Sequence, residues 1–117
     1  MNTKINLNYK GVTYTLEYSR MAIKLIENDG FKLDGFKEQP MNMIDLAFKG
    51  AFYEHHRKVS QSLIEEIYSH CKDKSGLIDV LLKMITECYS SLTDEPDGDE
   101  GNATWEEVDL TPKANQK

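Results

Sequence analysis

The chain reads as a small α+β domain, an N-terminal β-hairpin packed on a bundle of about four helices, with a disordered acidic C-terminal tail. Three observations predict this. Residues 3–18 alternate apolar and polar side chains on either side of Lys10-Gly11, the period of two half-buried strands. Four later stretches carry apolar residues at helical spacing. The last quarter is nearly stripped of apolar residues and holds all of the chain's excess negative charge.

In the hairpin, Ile5, Leu7 and Tyr9 alternate with Lys4, Asn6 and Asn8, and Val12, Tyr14 and Leu16 with Thr13, Thr15 and Glu17. Gly11 supplies the positive φ that a two-residue turn requires. A lone hairpin is marginal in water, so its apolar face is expected to lie on the helices. Ser19 is a suitable N-cap for a first helix over 20–28, with Met21, Ala22, Leu25 and Ile26 as its inner stripe and Ile23 flanking. Gly30 fits the left-handed position that ends helices. Phe31, Leu33 and Phe36 follow in a stretch to Gln39, read as an ordered loop tied down by its aromatics.

The strongest helical signal runs from Pro40 to Lys58, with the helix over 41–58. Ile44, Ala47, Phe48, Ala51 and Phe52 fill one face, and Met43, Leu46 and Tyr53 form a second stripe about 100° away. Such a helix is expected to touch neighbours on two sides. Gly50 breaks the pattern at about 1 kcal/mol against Ala, and is read as a point of close backbone approach or as a tolerated accident. A third helix is predicted over 63–72, opened by a Ser62-Leu63-Ile64-Glu65 capping box. Asp73-Lys74-Ser75-Gly76 stops it. A fourth over 77–92 is expected to bury Ile78, Leu81, Leu82, Ile85, Cys88, Tyr89 and Leu92.

Residues 1–92 therefore form one globular domain and 93–117 a flexible tail. The net charge of −6 comes from 14 Lys+Arg against 20 Asp+Glu. Residues 93–117 hold 2 of the former and 8 of the latter, which leaves 12 of each in residues 1–92. From Thr93 to Asn102 no apolar residue occurs, and such a stretch cannot offset its ordering entropy. Within this tail stand Trp105, Glu106, Glu107, Val108 and Leu110. This is either a short docking motif or a piece that folds back on the domain.

Several function classes are disfavoured. No run of about 18 apolar residues exists to span a membrane, and the N-terminus lacks the apolar core of a signal peptide, so a cytosolic protein is expected. Clustered Lys and Arg for phosphate contacts are missing. Helices three and four mimic a helix-turn-helix, but residues 77–92 offer only Lys83 as a basic side chain. His55 and His56, with Glu54 and His70, lack the spacing of a zinc site and read as a solvated helix end whose cations suit its dipole. Cys71 and Cys88 read as small buried hydrophobes, too far apart on their hairpin for a disulfide. No catalytic or cofactor-binding residues are expected, and no cofactor.

The order of parts carries a resemblance. A hairpin ending Tyr9-Lys10-Gly11-Val12-Thr13-Tyr14 leads to a helix running into Leu25-Ile26-Glu27-Asn28-Asp29-Gly30, then to a Phe-rich helix. His55-His56-Arg57-Lys58-Val59-Ser60-Gln61 follows, then Leu63-Ile64-Glu65-Glu66-Ile67 and an acidic tail. Over roughly residues 3–92 this resembles the small tail assembly chaperones of long-tailed bacteriophages, especially those infecting Gram-positive bacteria. The resemblance implies a non-enzymatic escort in the host cytoplasm. It would bind tape measure protein, recruit tail tube protein and stay out of the mature virion, with self-association left open. It also implies a place, after Leu92, where a frameshifted extension would attach. It carries no site residues.

Partner binding by such a protein calls for exposed apolar surface. The candidates are Trp105, Glu106, Glu107, Val108 and Leu110 in the tail, and Phe31, Leu33 and Phe36 in the loop. The alternative from another class is a cytosolic inhibitor or antitoxin-like protein that sets its acidic tail against a basic partner.

Overall fold

The computed structural model describes residues 3–95, 101 and 103–108. It has the α+β architecture expected: strands β1 (Ile5–Tyr9) and β2 (Val12–Leu16), then helices α1 (Arg20–Asn28), α2 (Pro40–Tyr53), α3 (Gln61–His70) and α4 (Lys74–Ser90). A short 3-10 turn, Ser91–Thr93, continues α4.

The strands pair antiparallel with Tyr9 opposite Val12 and Ile5 opposite Leu16. Lys10 and Gly11 both take positive φ, 50° and 81°, as a type I′ turn demands; its twist matches that of the strands. Because side chains alternate, Tyr14 and Leu16 are buried while Ile5, Leu7 and Tyr9 pack partly against the core. Val12, at the turn, stays 50% exposed.

The hairpin is fastened to three helices. The Glu17 N–H donates to the Ala51 carbonyl at 3.0 Å, which ties β2 to α2. Tyr9 Oη donates to Glu66 on α3 at 2.5 Å. The N–H and hydroxyl of Thr3 donate to the Glu87 carboxylate on α4 at 3.1 and 3.0 Å.

Ser19 caps α1, its hydroxyl accepting the Ala22 N–H at 3.1 Å. The helix ends in a Schellman motif: the Gly30 N–H reaches the Glu27 carbonyl at 3.0 Å and the Phe31 N–H the Ile26 carbonyl at 2.9 Å. Gly30 takes φ +109° to allow it. The inward face differs from the expected stripe. Ala22, Ile23 and Ile26 are buried, whereas Met21 and Leu25 are 51% and 38% exposed. Ile23 faces the end of α4, beside Cys88 and Tyr89. That third element covers the flank the sequence left open and leaves the opposite flank to water.

α2 is the centre of the core. Phe48 and Phe52 are among the largest fully buried side chains, with ring centroids 5.1 Å apart. A Cβ on Gly50 would stand 2.9 Å from Ile26 Cγ2. Close approach is therefore the reason for this glycine, and what approaches is a side chain of α1. Tyr18 lies alongside, its hydroxyl donating to the Ala47 carbonyl at 2.5 Å, and burial pushes its phenol far above the ordinary range.

Helices α2, α3 and α4 depart from their expected bounds. α2 ends at Tyr53 instead of Lys58, because the chain turns away to carry His55 and His56 back to the hairpin. α3 starts at Gln61, and Ser60, not Ser62, is its cap, accepting the Leu63 N–H at 3.2 Å. Val59 before the cap and Ile64 at the fourth helical position both pack into the core, the arrangement of a hydrophobic staple, which places the helix start earlier. α4 starts at Lys74 because Asp73, at φ 52°, caps it by accepting the Gly76 N–H at 3.2 Å. The residues read as a stop are thus a start. Met84 joins Leu81 and Ile85 in the core, while Leu92 is 54% exposed.

Candidate functional site

The polar chemistry lies at the surface: among the described residues the core holds no buried polar or charged side chain. No group of three or more His, Cys, Asp or Glu among them is placed to hold a metal, and no described helix is long and apolar enough to cross a membrane. Both cysteines are free and half-buried. Burial pushes each thiol upward, which disfavours the nucleophilic thiolate.

The polar clusters present serve as clasps. At the hairpin tip, hydrogen bonds from Tyr9 and then Lys10 hold the Glu66 carboxyl below the ordinary carboxylate range. The histidine pair is not a solvated helix end. His56 Nε2 accepts the Thr15 N–H at 2.9 Å, so that nitrogen is the unprotonated one, and its ring lies edge-on to Tyr14 and Phe52. His55 Nε2 stands 2.7 Å from Glu17 Oε1, and Arg57 stacks over Tyr53 at 4.5 Å.

The loop candidates divide. Phe31 is 3% exposed and belongs to the core, because the Schellman motif turns it under α1. It is therefore removed from the surface candidates. Phe36 is half-buried, its ring edge-on to Phe31 at 6.0 Å. Only Leu33, 42% exposed, is offered to solvent. In the tail, Trp105 and Val108 are 88% and 64% exposed and Glu106 and Glu107 are exposed; Leu110 lies outside the described residues. The structure brings Phe31 and Phe36 together and does not join Trp105 or Val108 to them.

The surface that sequence reasoning missed is the outer side of α1. Met21 and Leu25, one turn apart, form an exposed apolar ridge. On one side a groove of about 570 Å³ runs between α1 and the end of α4, lined by Arg20, Met21, Ile23, Lys24, Tyr89 and Leu92. On the other, a second groove between α1 and α2 includes Leu25, Leu46 and Tyr53. In the first groove Tyr89 Oη donates to Glu27 at 2.5 Å, and burial, then that bond, pushes the phenol up to about 12. A signal was available. Met21, Ala22, Ile23, Leu25 and Ile26 spread over about 200° of helix, more than one packing face can cover.

Residues 1–109 match the family described as a domain of unknown function, DUF5055. The chain belongs to the DUF5055 family. No curated protein and no solved structure matches it. The DUF5055 match runs past Leu92, through Trp105 and Val108.

Proposed function

We propose that this DUF5055 chain is a non-enzymatic tail assembly chaperone of a long-tailed bacteriophage, working in the cytoplasm of the bacterial host and left out of the finished virion. It binds tape measure protein and recruits tail tube subunits. The observation that supports this best is apolar surface in excess of what the fold uses: Met21, Leu25, Leu33, Leu92 and Trp105 are exposed around a core that is already closed. An escort of incomplete assemblies meets apolar surface that its clients later bury, and needs its own to meet it. The order of hairpin, helices and acidic tail supports the same reading by resemblance.

Trp105 is the anchor residue of this reading, since a single aromatic often contributes 2 kcal/mol or more to a short motif. Glu106 and Glu107 act on encounter, as rim charges do. Co-expression with the tape measure and tail tube proteins of the same genome, followed by pull-down, tests it. Capture by the wild type and weakened capture by Trp105→Ala, with unchanged helical circular dichroism, are expected. Failure of the wild type to capture either protein overturns the reading. The charge of the tail, 8 acidic residues against 2 Lys in residues 93–117, would then favour an inhibitor of a basic partner.

A further inference from the structure

The groove between α1 and the end of α4 has an apolar floor and a basic rim. Met21 and Leu92, exposed at 51% and 54%, line it together with Ile23 and Tyr89. Arg20 and Lys24 line the same groove, and among the described residues neither is in an ion pair. The one acid lining it, Glu27, is engaged by the Tyr89 hydroxyl. Such a site suits an aromatic or aliphatic side chain flanked by carboxylates.

The chain carries that chemistry itself. Trp105-Glu106-Glu107-Val108 sets an indole and an isopropyl group about two carboxylates, and Leu92, at the groove's edge, is also where the connection to this segment leaves the helical domain. Trp105 follows Leu92 by thirteen residues. Thirteen residues reach at most about 45 Å, ample for the chain to return to the place it left. The family match, which continues to residue 109, takes in the groove and the segment together.

We propose that the α1/α4 groove is the docking site of the chain's own Trp105–Val108 segment, with the indole on the floor between Met21 and Leu92, and Glu106 and Glu107 against Arg20 and Lys24. The arrangement described, with Trp105 at 88% exposure, is the undocked state. Tethering raises the local concentration of the segment to the order of a millimolar. A short motif of comparable intrinsic affinity therefore populates both states, and an outside partner displaces it readily. The docking holds whatever that partner proves to be.

Trp105 is the sole tryptophan, so intrinsic fluorescence of the full-length protein reads docking directly. In the wild type we expect emission to the blue of the urea-unfolded chain, lower acrylamide quenching, and no dependence on protein concentration. Met21→Glu and Leu92→Glu, both at exposed positions, should red-shift the emission with circular dichroism unchanged. Met41→Glu, at an exposed apolar residue (80%) outside the groove, should not. Glu106→Lys/Glu107→Lys, which leaves the helical domain intact, should also red-shift it. Wild-type emission and quenching equal to those of the unfolded chain overturn the proposal, as does an equal shift in Met41→Glu. A blue shift that grows with concentration overturns it in favour of docking on a second copy. A negative pull-down with tape measure protein would leave this fluorescence result standing.

Discussion

His56 of the turn after α2 accepts the backbone N–H of Thr15 on β2 through Nε2, at 2.9 Å. One side chain thus closes the hairpin onto the central helix and is wedged between Tyr14 and Phe52. Its removal strands a half-buried N–H, which costs about 1–3 kcal/mol. His56→Ala is expected to lower the melting temperature by several degrees. His55→Ala, which loses a partly exposed pair to Glu17, should cost at most about 1 kcal/mol. Thermal unfolding of both variants decides it, and equal effects would show that the Thr15 bond contributes nothing.

Gly50→Ala is expected to destabilise, although helix propensity alone favours it by about 1 kcal/mol. The new Cβ would stand 2.9 Å from Ile26 Cγ2, on a buried side chain, and overpacking of a filled core costs about 1–3 kcal/mol. A lower urea midpoint for Gly50→Ala, with a smaller loss when the same change is made in an Ile26→Ala background, is the expected result. A raised midpoint would mean that α1 moves off α2 without cost.

The two serines before α3 separate cleanly. Ser60 accepts the Leu63 N–H, so Ser60→Ala should cost about 1 kcal/mol as a lost cap. Ser62, already inside the helix, should be near neutral on the same change. Equilibrium unfolding of the two single variants reads the difference, and the reverse order would restore the Ser62 capping box.

Acid should loosen the hairpin before it unfolds the bundle. Hydrogen bonds from Tyr9 lower Glu66, and those from Thr3 lower Glu87. A carboxylate held below its unfolded value adds stability that is complete above that value, about 4.3, and is lost as pH falls through the lower folded one. Denaturant midpoints measured from neutral pH to about 3 should therefore fall more steeply for the wild type than for Glu66→Gln/Glu87→Gln. Parallel curves would show that neither clasp is coupled to folding.

Local chemistry made part of this protein legible from sequence. Lys10-Gly11 between two alternating runs determined the turn and therefore the register, since side chains change face at every residue. Ser19 and Gly30 bounded α1 to the residue, because a cap and a left-handed terminus act within one turn of chain. The apolar surplus of α2 marked it as the centre of the core before any neighbour was known. The candidate surface was legible only in part, through Trp105 and its carboxylates.

The remaining features depend on partners distant in sequence. Whether Met21 or Ile23 turns inward depends on where the end of α4 lies, and periodicity within nine residues of α1 cannot contain that. α2 stops at Tyr53 because β2 presents a backbone N–H to His56, 41 residues away. Phe31, read as an aromatic anchor of its loop and offered as apolar surface for a partner, is carried into the core by the Schellman bonds that close α1 beneath it. The groove beside Met21 exists only because two helices far apart in the chain meet there, each leaving part of an apolar face that its own neighbours do not cover.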